Sequence, residues 1–428
     1  MQNMPNTPTP ENLLLAAKRS GINDLKQLQN NSALVIRVST LIHELQRERG
    51  ISNTFLASNG QRFVQERTAE VEATNAALHQ FREELGQRDL AAQTSGSSRL
   101  LNSLAYAMHS LDELPDLRTQ IAARQMTAVD NTWHFNRLIA GLLNVVFEAA
   151  DLAGDPDITR ALVALFNFIQ GKEYAGQERA WGVIGFTGGD FSAELQDRIH
   201  NLQDAQQRCF DIFSRFTSAL GAEHWRQLES SEAAQELGRL RKMIERFRRG
   251  DSLPTAFGEV WYGVTTSRID AMQEVEQLLT AALPELCNTR ILKAEDDLRQ
   301  HQTQLTSAAS FEAPPISPLS TPNSSDQQHS AIAPGFNVKL ARSVFELVQD
   351  QAERLQKISE ELAEARQALD ERKLIEKAKG LLMQSQGINE EQAYRQIRQA
   401  AMDGKKRIVE IAANIISVSD MLSLGRRS

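Results

Sequence analysis

No stretch of this chain alternates apolar and polar residues with a period of two for long enough to make a strand. Instead, apolar residues recur every three or four positions in one segment after another. A chain patterned this way has little but helices to build with, and only 23 glycines and 12 prolines in 428 residues point the same way. Residues 1–30 read as a polar tail passing into a short helix. A longer amphipathic helix follows from Ser32 to Ser58, with Val35, Val38, Leu41, Ile42, Leu45, Phe55 and Leu56 on one stripe, and Asn59-Gly60 breaks it. Helical patterns resume at 64–85, at 100–114 (stopped by Pro115), and at 122–152. They continue at 158–170, 172–186, 192–220, 222–249 and 257–301. Helices joined by short loops pack antiparallel, so residues 31–305 are expected to form a large up-and-down helical bundle in an all-α protein.

The composition then changes. Residues 306–337 contain five of the twelve prolines amid serines and polar residues, the make-up of a flexible linker. Helical pattern returns at 338–371, where Val348, Leu355, Leu362 and Leu369 fall seven apart with Val344, Ile358 and Ala365 between them. This is a coiled-coil seam, interrupted by Gln351, and it makes a homodimer through that helix an expectation. The alternative is a single helix folding back onto the bundle.

Residues 372–428 read as a small three-helix module. Leu374, Ile375, Ala378, Leu381 and Leu382 line the first helix, and Gly387 is placed to end it as a left-handed cap. Asn389 with Gln392 has the spacing of a capping box for the second, lined by Ala393, Ile397, Ala400 and Ala401. Ile408, Ile411, Ala412 and Ile415 line the third. This end carries eleven Lys/Arg against six Asp/Glu, a net of +5, leaving −13 on the rest of a chain whose net charge is −8. A compact basic tip on an acidic protein is a place for a polyanion. The candidates are Arg372, Lys373, Lys377, Lys379, Arg395, Arg398, Lys405, Lys406 and Arg407, with Tyr394 available to stack on a base.

Two further sequences stand out inside the bundle. Glu48-Arg49-Gly50 lies in the first long helix, and Gly176-Gln-Glu178-Arg179-Ala-Trp-Gly182 lies in a later one. Glycine within a helix costs about 1 kcal/mol relative to alanine. Gly50, Gly176 and Gly182 therefore require a reason, either close helix approach or room for a ligand. Arg49 and Arg179 could pair with Glu48, Glu173 or Glu178. Left unpaired between helices, their planar forks would suit a small oxyanion.

These segments resemble known families. Ala378-x-Gly380-x-x-Met383, Gly387-Ile388, Ala393-Tyr394, Ile397-Arg398, Ala401-Met402 and Lys406-x-Ile408-x-x-Ile411-Ala412 are similar to the ANTAR domain, a three-helix RNA-binding module. Leu45-Gln-x-Glu-Arg-Gly50, Gly171-Lys-Glu-x-Ala-Gly-Gln-Glu-Arg-Ala180 and Trp261-Tyr262 with Thr265, Thr266, Arg268 and Ile269 resemble the NIT domain, an all-helical nitrate and nitrite sensor. The resemblance implies nitrate or nitrite bound by Arg49 and Arg179. A third arginine is expected at Arg241, with Arg239 competing for that place. It also implies a leader-RNA hairpin held by the basic module, as in nitrate-responsive transcription antiterminators.

No GxSxG, Walker loop, HExxH or cysteine–histidine signature occurs, so no enzyme activity, metal or nucleotide cofactor is expected. Cys209 and Cys287 have no zinc or CxxC spacing and read as reduced thiols. With no segment near the roughly 18 apolar residues of a membrane span, a cytoplasmic protein is expected. The rival function is a DNA-binding regulator whose basic end acts as a helix-turn-helix while the bundle senses another small anion.

Overall fold

The computed structural model describes residues 10–88, 98–247, 256–309, 338–388 and 390–424. Among these the secondary structure is helical throughout, in agreement with the all-α expectation, and no helix is long and apolar enough to cross a membrane. The proposed capping residue Asn389 and residues 310–337 of the linker lie outside the described residues, as do the side chains of Val344, Val348, Gln351, Leu355 and Ile358.

The chain divides into two compact units, one made of residues 1–29 with 285–361 and the other of 30–284 with 362–428. In the first, the start of α1 (Pro10–Ala57) lies along the end of α10 (Ala256–Ala309). Lys26 pairs with Glu295 at 2.9 Å and Gln29 donates to Asn288 at 2.5 Å, over a buried line of Leu14, Ile22, Leu28, Cys287 and Ile291. Helix α1 is continuous, where the sequence suggested two. Residues 10–57 include no proline after Pro10, which starts the helix, and a lone glycine at 21 is not enough to break it.

The second unit contains α2 (Val64–Gly86), α3 (Ser98–Leu111), α4 (Leu114–Ala122), α5 (Ala128–Asp151), α6 (Pro156–Gly188), α7 (Ala193–Phe216), α8 (Ala219–Glu229) and α9 (Glu232–Arg246). Pro115 does not merely stop α3. It occupies the first turn of α4, where a missing N–H costs nothing. Three serines divide the segment read as two helices: Ser192, Ser218 and Ser231 each accept the N–H three residues on and start α7, α8 and α9.

Helix α6 is the axis of this unit. Asp155 caps it, accepting from the N–H groups of Asp157 and Ile158 at 3.1 and 3.2 Å, and Pro156 follows in the first turn. The sequence suggested a break near residue 171, yet α6 runs 33 residues to Gly189, whose φ of +67° ends it. Its glycines lie under neighbouring side chains: a Cβ at Gly171 would meet the Phe210 ring at 2.6 Å, and one at Gly182 would strike Trp261. Packing thus offsets the low helix propensity. From α1, Leu34, Val35, Val38, Leu41, Ile42 and Leu45 are all fully buried in this unit, matching the expected stripe.

The C-terminal module joins the end of α11 (Val338–Gln386) to α12 (Glu390–Gly404) and α13 (Ile408–Leu424). Ala378, Ile397, Ala412 and Ile416 form its core, with Leu374, Ile375, Leu381, Leu382, Ile408, Ile411 and Ile415 around them. Gly387, at φ +65°, ends α11 as expected, and Lys405 at φ +48° takes the left-handed position after α12. The first helix of the module is not separate. It continues the helix on which the sequence suggested a coiled-coil seam, and Leu362, Ala365 and Leu369 of that seam are buried within the chain.

Candidate functional site

The two glutamate–arginine motifs meet where α1 crosses α6, and they do so reciprocally. Arg49 of α1 lies over Gly176 of α6, where a Cβ would come within 2.6 Å of its Nη2. Arg179 of α6 lies over Gly50 of α1 even more closely. Each glycine therefore makes room for the other helix's guanidinium. Arg49 is fully buried and donates to both oxygens of Glu173, at 2.5 and 3.1 Å, and to Asn136 Oδ1 at 2.5 Å. Gln46 and Gln177 donate to the same carboxylate at 2.9 and 2.8 Å.

Arg179 is equally enclosed, but among the described residues no carboxylate lies within ion-pair distance of it. It donates to Thr266 Oγ1 at 3.1 Å and to the Gln46 carbonyl at 3.4 Å, and its guanidinium stands 5.5 Å from the Tyr262 ring centre. Burial, and the neighbouring Arg49 cation, hold its pKa below the usual arginine range. Arg49 Nε and Gln46 Oε1 are buried with no hydrogen-bond partner among the described residues. An excess positive charge beside an unused donor is what a small anion would match.

The glutamates of the two motifs face away from this crossing. Glu48 accepts from Nε and Nη2 of Arg118, at 2.7 Å each, and Glu178 takes Arg241 at 2.8 and 2.6 Å while accepting from Gln203 and Gln206. Arg241 is thus held on another side of α6 from Arg49 and Arg179, and Arg239 is exposed and pairs with Glu236. Buried Arg268 joins the Glu178 group through Gln206 at 3.1 Å. Its pKa is lowered to about 10 by burial and by Arg241.

Beside the crossing, the Lys172–Glu276 pair is wholly buried at 2.6 Å, and Ser39 donates to the same Glu276 carboxylate. Lys172 Nζ also faces His43 Nδ1 at 3.4 Å. Burial and the Lys172 cation push the His43 pKa down from 6.5 to about 2. A histidine that refuses a proton when folded makes stability fully present above pH 6.5 and lost as pH falls towards 2, by about 1.4 kcal/mol per pH unit. Urea unfolding of the parent and His43→Gln at pH 7 and pH 5 is expected to show the parent losing about 2 kcal/mol relative to the variant. Equal losses would show that His43 does not carry that slope.

The basic module lies against the same unit, and much of its expected nucleic-acid surface is occupied. Arg398 pairs with Asp204 of α7 at 2.6 Å and also donates to Asn201, and Arg395 reaches Asp197 at 4.0 Å. Arg208 donates to the Tyr394 hydroxyl and stands 5.4 Å from its ring centre. Lys373 pairs with Asp151 at 2.6 Å, and Arg372 donates to Gln170 at 2.8 Å over the Phe166 ring. Upstream on α11, Arg215 pairs with Glu364 at 2.5 Å.

The remaining candidates differ. Lys379 is buried inside the module between Glu376 and Glu390, at 2.8 and 2.7 Å. Burial opposes its charge, but the two carboxylates outweigh it and raise its pKa, so this lysine fastens α11 to α12. Arg407 is exposed and pairs with Glu371 at 2.6 Å, while Lys377, Lys405 and Lys406 are exposed.

Residues 40–283 match the family model for nitrate and nitrite sensing (NIT), and residues 363–416 match the ANTAR domain. The chain is 36% identical over 424 residues to the nitrate regulatory protein of Klebsiella oxytoca, covering 98% of each chain. It is also similar to the solved structure of the NasR transcription antiterminator, with a TM-score of 0.60 and 32% identity over 95% of this chain and 98% of that one.

Proposed function

This chain belongs to the nitrate-responsive transcription antiterminators that join a NIT sensor to an ANTAR module, and from that premise we propose how its two ends are coupled. Nitrate or nitrite enters between α1 and α6 and is held by Arg49 and Arg179. The observation that carries this is the crossed placement of the two guanidiniums over facing glycines, with no carboxylate within ion-pair distance of Arg179 among the described residues. Arg241 is engaged with Glu178, so a ligand role for it would require leaving that carboxylate. We assign it to holding α6 against α7 and α9.

Asp151, Asp197, Asn201 and Asp204 occupy Lys373, Arg395 and Arg398, cations the module needs for phosphate contacts. Ligand binding favours a form in which the module leaves α7, and Arg372, Lys373, Tyr394, Arg395, Arg398, Lys405, Lys406 and Arg407 become available to a hairpin of leader RNA. A ligand shifts such an equilibrium only by its preference for one form. The reading places the protein in the cytoplasm, where transcripts are made. Self-association, if the chain uses it, is assigned to the part of the seam before Leu362, since Leu362, Ala365 and Leu369 are buried within the chain.

A gel shift with hairpin RNA, with and without nitrate and with duplex DNA as competitor, tests this. Nitrate is expected to strengthen RNA binding at least roughly tenfold, with duplex DNA competing weakly. Displacement by equal amounts of duplex DNA would favour a helix-turn-helix regulator instead.

A further inference from the structure

We infer that the crossing of α1 and α6 admits one monovalent anion and rejects divalent oxyanions, and that Glu173 is the residue that sets this limit; the inference rests on the anion-binding role proposed above for Arg49 and Arg179. The limit follows from the charge buried where the two helices cross. Arg49, Arg179 and Glu173 are each buried and bring two positive charges and one negative charge, a net of +1.

The surrounding charged groups are matched elsewhere. Glu48 pairs with Arg118, Glu178 with Arg241, Lys172 with Glu276 and exposed Arg47 with Glu70. His43 is neutral, its pKa pushed down to about 2, and Asp270 is exposed on α10. Glu44 is half-buried beside Arg47 and Lys172, and burial raises its pKa. Buried Arg268 is a further cation without an ion pair among the described residues, but it sits with Gln206 on the Glu178 side, and exposed Asp270 acts on Arg179 only from the surface; the buried groups at the crossing of the two motifs themselves sum to +1.

One nitrate or nitrite brings that local sum to zero. A sulfate would leave it at −1 in a place with little water, and would lose a larger hydration energy on entry. Glu173 also competes directly with the ligand, because it already holds two of the Arg49 donors, and Gln46 and Gln177 lock its carboxylate in place. Selectivity then comes from an internal carboxylate that occupies one anion's worth of positive charge, rather than from the arginines themselves. Two guanidiniums alone would favour a dianion.

Glu173→Gln keeps the side chain's length and a carbonyl for Arg49 while removing one negative charge. Nitrate affinity is expected to rise roughly tenfold, and the affinity for sulfate relative to nitrate to rise at least as much. Gln177→Glu works in the opposite direction, adding a carboxylate at a half-buried position beside Glu173, and is expected to weaken nitrate at least roughly tenfold.

The measurement is a thermal-shift titration of the full chain with sodium nitrate, nitrite and sulfate, at ionic strength held constant with potassium glutamate. A parent stabilised by nitrate but not sulfate, with sulfate gained in Glu173→Gln, supports the inference. A parent that takes sulfate as well as nitrate, or a Glu173→Gln variant with an unchanged ratio, overturns it while leaving the anion site standing. A parent that responds to no anion overturns both. Should Glu173→Gln not fold, Gln177→Glu decides: a tenfold loss supports the charge limit, and a constant within threefold of the parent removes it.

Discussion

Reversing the charge at Asp197 and Asp204, as Asp197→Lys with Asp204→Lys, is expected to produce RNA binding that no longer needs nitrate. Both lie on one face of α7, seven residues apart, and face Arg395 and Arg398 of the module. Neither is at the proposed anion site or on the module, so the proposed RNA-contacting residues and ligand site stay intact. Partly exposed ion pairs contribute about 0.2–1 kcal/mol each, but reversal replaces attraction with repulsion at two points of one interface. RNA affinity without nitrate is expected to rise about 10- to 100-fold, with little further gain when nitrate is added. A gel shift of the double variant against the parent reads this directly. If the variant binds RNA as weakly as the nitrate-free parent, the α7 contacts do not restrain the module.

The second large effect is a difference between two arginines that look alike in the sequence. Arg49→Ala would leave the Glu173 carboxylate buried with no cation, and is expected to destabilise the protein by about 3–5 kcal/mol. Arg179→Ala removes a buried cation with no carboxylate in ion-pair distance among the described residues, so its stability should change by less than about 1 kcal/mol, with either sign. Both variants should lose the melting-temperature rise that nitrate gives the parent. Urea unfolding checks the first contrast, and thermal shift with nitrate checks the second. Equal destabilisation would mean that Arg179 has a charge partner in solution, and a retained nitrate response in both would remove the proposed anion site.

Much of the architecture was readable in the sequence because it rests on local signals. The stripe from Val35 to Leu45, the break at Asn59-Gly60 and the stop at Gly387 all depend on residues within one or two turns of each other. Where the reading failed, a long-range contact or a single hydroxyl decided. Helix α6 crosses Gly171 because Phe210 packs over it, and α7 to α9 are separated by serine caps inside what reads as continuous helical pattern.

The proposed ligand site shows the same division. Glycine's cost within a helix flags Gly50 and Gly176, and the reason turns out to be the opposing arginine. Nothing local assigns Glu48 to Arg118, 70 positions away, or Glu178 to Arg241, 63 away, yet those pairings keep both carboxylates off Arg179. The residues of α7 facing the module were equally hidden, since Asp197, Asn201 and Asp204 read as ordinary solvent-facing residues of an amphipathic helix.

The occupied arginines of the module have a thermodynamic corollary. If nitrate makes transcript binding tighter by freeing Arg398 and its neighbours, equilibrium reciprocity requires the transcript to make nitrate binding tighter by the same factor. Molecules already seated on an emerging message would then respond at nitrate levels too low to engage those drifting free. The cell's detection threshold would depend on how much target transcript it is making, as well as on the affinity of the protein alone.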